Sequence, residues 1–157
     1  MFRDITTLIK DPVGLKLCMD DLVKRYKDEN IHVIVGIDSR GFILGGALAY
    51  ALGLGFVPVR KKGKLPAEKE SVEYVLEYGT DTVEIHKDAI RHGQRVVIVD
   101  DLLATGGTSL AAAELVRRLG GEVVELAFIV DLPDLGGGRR LHEAGLMYYA
   151  QTSFEGE

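Results

Sequence analysis

The stretch Arg95 to Ser109, Arg-Val-Val-Ile-Val-Asp-Asp-Leu-Leu-Ala-Thr-Gly-Gly-Thr-Ser, constrains the fold more than any other part of the chain. Four consecutive apolar β-formers, Val96 to Val99, run into paired carboxylates and then into a Thr/Gly loop that opens a helix, so the order is strand, acidic turn, loop, helix. A helix N-terminus offers unpaired N–H groups and the positive end of a dipole, and Gly106 and Gly107 carry no side chain to hold a phosphate off the backbone. Ala104, Thr105, Gly106, Gly107 and Thr108 therefore form a candidate cradle for a terminal phosphate, with hydroxyl donors from Thr105, Thr108 and Ser109. No lysine lies in the loop, which removes the charge clamp of a P-loop, and Gly-x-Gly-x-x-Gly does not occur in the chain. Asp100 and Asp101, just before the loop, suit a pair of vicinal hydroxyls as hydrogen-bond acceptors. The ligand implied is a phosphorylated sugar.

At 157 residues and 46% hydrophobic content the chain suffices for one domain, residues 1–157, with a proper core. A formal net charge of −5 argues against a general nucleic-acid binder, which needs a basic surface to displace counterions. Cys18 is the single cysteine, so an intramolecular disulfide and a thiolate metal cluster are both excluded, and its place in a helical pattern makes it a small core residue. The histidines, His32, His86, His92 and His142, lack metal-ligand spacing. With no apolar run long enough to span a bilayer and no signal peptide, the expectation is a cytoplasmic protein.

Taken in order, Asp11-Pro12 opens an amphipathic helix that runs to about Lys27 on Leu15, Met19, Leu22, Val23 and Tyr26. His32 to Ile37 reads as a strand leading into Asp38-Ser39-Arg40-Gly41 and a helix to about Leu52, and Phe56 to Val59 as a second strand. Arg60-Lys61-Lys62-Gly63-Lys64-Leu65-Pro66 follows; a basic run is either a solvated face or, at the strand ends that carry the other loops, a clamp for a diphosphate. Ala67 to Glu73 reads as a mobile polar stretch without an apolar face. Val72 to Tyr78 and Thr82 to His86 read as two antiparallel strands joined by a turn at Gly79-Thr80-Asp81. Beyond the phosphate loop come a helix to Leu119, a buried strand Val123 to Val130, loop chemistry over Leu135 to Gly138, a short helix through Arg139 to Glu143 and a last strand, Met147 to Ala150. Strands separated by helical crossovers give an α/β fold, a doubly wound, mainly parallel sheet with ligand loops at the strand carboxyl ends.

Val-Val-Ile-Val-Asp-Asp-Leu-Leu-Ala-Thr-Gly-Gly-Thr resembles the phosphoribosyl-pyrophosphate motif of the type I phosphoribosyltransferases, in the version used by the branch that acts on adenine. Phe2-Arg3-Asp4-Ile5, Asp38-Ser39-Arg40-Gly41, Val59-Arg60-Lys61-x-Gly63-Lys64-Leu65-Pro66 and Leu76-Glu77-Tyr78-Gly79 are similar to further segments of that family in the same order. The resemblance implies the type I phosphoribosyltransferase fold with a flexible catalytic loop over residues 60–79, a small antiparallel hairpin and a short base-enclosing segment at residues 1–7. In the family that first segment follows an N-terminal helix, which this sequence does not contain. The implied reaction joins adenine and phosphoribosyl pyrophosphate to give AMP and pyrophosphate, in purine salvage, with Mg2+ carried mainly by the substrate. The implied roles are ribose binding for Asp100 and Asp101, 5-phosphate binding for Ala104 to Thr108, and pyrophosphate binding for Ser39, Arg40, Arg60, Lys61 and Lys64. Glu77, Arg60 and Lys64 are the implied catalytic residues, and Phe2, Arg3 and Leu102 the implied base contacts. Phe2 and Arg3 either enclose a purine or fray with the terminus. In relatives the arginine of the basic run reaches the neighbouring subunit's site, which implies a homodimer. Two other functions fit the same residues: transfer to hypoxanthine, guanine or xanthine, and regulatory nucleotide binding without turnover.

Overall fold

A computed structural model of the chain describes residues 5–66, 68–76 and 78–155. In order these form helices α1 (Thr6–Lys10) and α2 (Pro12–Tyr26), strand β1 (Val33–Ile37), helix α3 (Arg40–Leu52), strands β2 (Gly55–Lys61), β3 (Lys69–Leu76), β4 (Gly79–His86) and β5 (Arg95–Leu103), helix α4 (Gly107–Arg118), strand β6 (Glu122–Asp131), a 3-10 turn (Pro133–Leu135), helix α5 (Gly137–Glu143) and strand β7 (Tyr148–Ser153). Helix α2 starts where the sequence places it: the Asp11 carboxylate accepts a hydrogen bond from the Val13 N–H at 3.3 Å and Pro12 takes the first helical position, where its missing N–H costs nothing. Cys18 is buried on the inner face of α2, and burial, reinforced by the negative Asp21, raises its thiol to about 11, so it stays protonated as a small core residue.

The strands form one seven-stranded sheet in the order β3-β4-β2-β1-β5-β6-β7. Strands β2, β1, β5, β6 and β7 run parallel, whereas β4 pairs antiparallel with β2 and β3 antiparallel with β4. Alternation along the central strands feeds two cores. Ile34, Val97, Val99 and Ala127 meet α2 and α3 on one face, and Val35, Ile98, Leu126 and Phe128 meet α4 and α5 on the other. This is the doubly wound, mainly parallel sheet with an antiparallel hairpin that the pattern predicts. Sequence order reverses between β1 and β5, so their carboxyl ends face a crevice where neighbouring connections leave in opposite directions.

Four local expectations are corrected. Leu135 to Gly138, expected as loop, holds the last residue of the 3-10 turn and, from Gly137, the first residues of α5, which therefore starts two residues before Arg139. Asp100 and Asp101 belong to β5 and not to a turn, because pairing with β6 continues through Leu102↔Val130 and Leu103↔Asp131 and no breaker precedes the Thr/Gly loop. Within the stretch expected to be mobile and polar, Lys69 to Glu73 lies in β3, where Val72 and Tyr74 alternate inward against α4. The hairpin closes earlier than Gly79-Thr80-Asp81: Gly79 pairs with Leu76, and Thr80 and Asp81 pair with Val75 and Tyr74. Gly79 has φ +146°, a backbone conformation that L side chains rarely adopt, so glycine lets β4 start at once. Among the described residues no helix is long and apolar enough to cross a membrane.

Candidate active site

The carboxyl ends of β1 and β5 bring Arg40 against the acidic pair. Arg40 Nε donates to Asp101 Oδ2 at 2.5 Å, and the Asp101 N–H donates to Asp100 Oδ1 at 2.8 Å. Asp101 is only 5% exposed, so its charge is held by this pairing, whereas Asp100 keeps an open side toward the crevice. Gly41 permits the approach, since a Cβ there would stand 2.7 Å from the Val99 carbonyl oxygen and 3.3 Å from Asp100 Oδ1. Desolvation, then the Asp101 carboxylate beside it, push the Asp100 pKa well above the ordinary carboxylate value, against the Asp101 N–H and the Arg40 charge.

Residues 104–106 then turn into α4, whose N-cap is Gly106 at φ +89°, a conformation suited to glycine. No side chain caps this end, so the first N–H groups of α4 face a small cavity of about 100 Å³ lined by Asp100, Leu102 and residues 104–109. The loop is braced from behind by the start of α5. The Gly137 N–H donates to the Ala104 carbonyl at 3.0 Å, and Arg140 Nη1 donates to the Thr105 carbonyl at 2.7 Å. Gly106 packs so closely on Gly137 that a Cβ on the former would lie 3.1 Å from the latter's Cα.

The basic run divides between strand and turn. Arg60 ends up beside Asp38, Nε to Oδ2 3.6 Å, with its guanidinium carbon 5.6 Å from the centre of the Phe42 ring, and Arg60 Nε is buried without a hydrogen-bond partner. Lys61 turns the other way: its Nζ donates to the Tyr74 hydroxyl at 2.9 Å and to Asp81 at 3.3 Å. Lys64 is exposed on the turn after β2, and Ser39 is exposed at the start of α3. That turn is anchored by Glu84 of β4, 3% exposed, whose carboxylate accepts from the Gly63 N–H at 3.0 Å and from the Ser71 hydroxyl at 3.3 Å and faces Lys69 Nζ at 3.6 Å. Leu102 is half-buried at the crevice. Phe2, Arg3 and Glu77 lie outside the described residues. Another cleft, of about 600 Å³, is at the opposite strand ends, and its charges answer one another, since Arg25 makes a two-point contact with Glu125 at 2.6 and 2.9 Å and Tyr26 donates to the same carboxylate at 2.7 Å.

A family model described as a phosphoribosyl transferase domain matches residues 6–144. Adenine phosphoribosyltransferase of Pelodictyon phaeoclathratiforme is 64% identical over 159 residues, covering 100% of this chain and 90% of the relative. The chain belongs to the adenine phosphoribosyltransferase family. Among solved structures, adenine phosphoribosyltransferase of Thermoanaerobacter pseudethanolicus superposes with a TM-score of 0.92 at 50% identity, covering 98% of this chain and 88% of that one. The Saccharomyces cerevisiae adenine phosphoribosyltransferase, complexed with D-2,5-dideoxy-2,5-imino-altritol 1,6-bisphosphate and adenine, gives 0.88 at 41% identity, covering 95% of this chain and 85% of that one.

In this adenine phosphoribosyltransferase fold the residues that sequence reasoning missed are the supports: Asp38, Gly41, Glu84, Gly137 and Arg140. Gly41 had a signal, because a glycine right after a strand-end loop marks close backbone approach. Glu84 had none, since it reads as one more polar position of an alternating strand.

The raised Asp100 pKa carries a stability consequence for the ligand-free protein. A folded-state pKa above the unfolded value means that the native state loses stability as pH rises through that window and stays weakened above it. Asp100→Asn is therefore expected to raise the thermal midpoint at neutral pH by ~2–4 °C, the shift that about 1 kcal/mol makes in a chain of this size. The gain should shrink as pH falls toward the ordinary carboxylate range, while affinity for a ribose phosphate drops. Thermal melts of both proteins from pH 4 to 8 check this, and a variant that melts lower at every pH would contradict it.

Proposed function

We propose that the chain transfers the phosphoribosyl group of phosphoribosyl pyrophosphate to adenine, forming AMP and pyrophosphate. The observation that carries the reading is the acidic pair, oriented by Arg40, directly before an uncapped and braced helix N-terminus: one site for two sugar hydroxyls and a terminal phosphate together. Breaking the bond from the anomeric carbon to pyrophosphate builds positive charge on the ribose ring and negative charge on the leaving group. Asp100 and Asp101 accept hydrogen bonds from the ribose hydroxyls and keep negative charge near the ring. Residues 104–108 hold the 5-phosphate through backbone N–H and hydroxyl donors. Ser39, Arg40, Arg60, Lys61 and Lys64 surround the departing diphosphate, and Asp38 and Glu84 fix the backbone from which Arg60 and Lys64 project. Leu102, Phe2 and Arg3 enclose the base, and Glu77 serves its proton exchange.

The oxygen-only donors around Asp100 and the threonines suit magnesium, a hard cation that keeps its waters, and among the described residues no three His, Cys, Asp or Glu gather to cage a metal. Carried mainly by the substrate's own oxygens, it would spread the charge of the leaving diphosphate. A cytoplasmic location and residues 60–79 as the moving catalytic loop belong to the same proposal.

The test is direct product analysis with phosphoribosyl pyrophosphate, magnesium and each of adenine, hypoxanthine, guanine and xanthine. AMP from adenine alone is the expected result. Turnover of another purine in preference to adenine would replace the substrate, and no turnover with tight AMP binding would favour a regulatory role.

Assembly enters through Arg60. If it serves the site of a second copy, mixing an Arg60→Ala chain with an Asp100→Asn, Asp101→Asn chain restores part of the activity through hybrid dimers. Proven subunit exchange with no recovered turnover would confine Arg60 to its own subunit.

A further inference from the structure

Two side chains that the proposed function assigns to opposite ends of the substrate are tied to one tyrosine. Lys61, at the end of β2, belongs to the diphosphate end, and Thr108, in the first turn of α4, to the 5-phosphate end. Tyr74 of β3 lies between them, 9% exposed, its ring against Gly107, where a Cβ would stand 3.3 Å from Tyr74 Cδ2. Lys61 Nζ lies 2.9 Å from the Tyr74 hydroxyl, and Thr108 Oγ1 3.1 Å from it on another side. Asp81, paired with Tyr74 across the hairpin, is 3.4 Å from the same hydroxyl and 3.3 Å from Lys61 Nζ. Four elements, β2, β3, β4 and α4, thus meet at one oxygen.

A hydroxyl donates once and accepts twice, and its hydrogen turns to suit its partners. When a phosphate occupies the loop, Thr108 can donate to it while accepting from Tyr74, and Tyr74 in turn accepts from the Lys61 ammonium. Each bond in such a chain polarises the next, and a partly buried site screens the effect little. Lys61 suits this duty because, against a desolvation that lowers its pKa, the Tyr74 hydroxyl and the Asp81 carboxylate hold it above the ordinary lysine value.

We propose that Tyr74 is a positioning residue that relays the Lys61 charge through Thr108 to the 5-phosphate, so that Lys61 strengthens binding of a phosphate it does not touch. The inference rests on the proposed reading of residues 104–108 as the 5-phosphate site. It adds that the β3–β4 hairpin meets that site at the Tyr74 hydroxyl.

AMP carries the 5-phosphate and no diphosphate, which makes it the discriminating probe. Dissociation constants for AMP and for adenosine, the same nucleoside without the phosphate, are measured by calorimetry on wild type, Lys61→Met, Tyr74→Phe and the double variant, each checked for a normal thermal midpoint. The expected result is a roughly threefold to tenfold weaker AMP affinity for each single variant, the range of one ordinary hydrogen bond. The double variant should be no weaker than Tyr74→Phe alone, and adenosine affinity should not change. Independent, multiplying losses, an unchanged AMP affinity in Lys61→Met, or equal losses for AMP and adenosine overturn the relay and leave the proposed activity standing. A wild-type chain that binds no AMP overturns the activity, and the relay with it.

Discussion

Gly137→Ala should weaken AMP and phosphoribosyl pyrophosphate together by about tenfold to a hundredfold, equivalent to ~1.4–2.7 kcal/mol, although residue 137 has no side chain to offer a ligand. The reason is where the added Cβ would go. It would stand 2.4 Å from the Ala104 carbonyl oxygen, 2.8 Å from Leu103 Cδ1 and 3.1 Å from the Gly106 nitrogen. Two of those atoms are backbone of the phosphate loop and cannot rotate away as a flexible side chain would, so the loop or α5 must move. Overpacking of this kind costs about 1–3 kcal/mol, and here the cost falls on the 3.0 Å bond from the Gly137 N–H to the Ala104 carbonyl that braces the loop. N–H groups that must meet a phosphate tolerate little displacement. Affinities of the variant for both ligands, with its thermal midpoint, decide the matter. Wild-type affinity for both would show that the loop holds its shape without the brace, and loss of one alone would mean that the two ligands do not share a phosphate site.

The same contact explains what was legible in the chain and what was not. The strand, the acidic pair, the loop and helix α4 are consecutive, so local rules reach all of them from Arg95 to Ser109. Arg40 was expected in a second junction of the same kind after β1, but as a diphosphate ligand, and its pairing with Asp101 sixty-one residues away was not legible. The brace was not: Gly137 reaches Ala104, and Arg140 reaches Thr105, from more than thirty residues away, and nothing in Gly136-Gly137-Gly138 separates a packing role from plain loop chemistry. β3 is a different miss. Lys-Glu-Ser-Val-Glu-Tyr has the inward alternation of Val72 and Tyr74, but only two apolar residues carry it, and polar neighbours outweigh so short a signal until α4 supplies the surface they bury against. Asp81 read as turn chemistry because Gly-Thr-Asp is turn composition, yet its carboxylate accepts from its neighbour's N–H, Thr82, at 2.8 Å and faces Lys61, contacts available to it within β4.

The last expectation concerns Glu77, which lies outside the described residues but follows directly on β3. Adenine attacks through N9 and sheds a proton while charge redistributes over the ring, and a group that donates a hydrogen bond or a proton to N7 lowers that barrier. A carboxyl does this only when protonated or when it exchanges its proton with the base, which requires a pKa raised by enclosure. The flanking residues leave room for enclosure on demand: Val75, Leu76 and Tyr78 are exposed, Tyr78 at 93%, so apolar surface is available to cover the base if the hairpin closes over it. The Tyr74 hydroxyl, 3.1 Å from Thr108 Oγ1, also links the root of that hairpin to the loop proposed to hold the 5-phosphate. On this argument Glu77→Gln, which keeps size and hydrogen bonding but supplies no acid, lowers single-turnover AMP formation by about a hundredfold or more, with little change in phosphoribosyl pyrophosphate affinity. If Glu77 acts in its protonated form, the wild-type advantage declines as pH rises. Single-turnover rates for both proteins from pH 5 to 9 measure this, and an unchanged chemical rate in the variant would take Glu77 out of the mechanism.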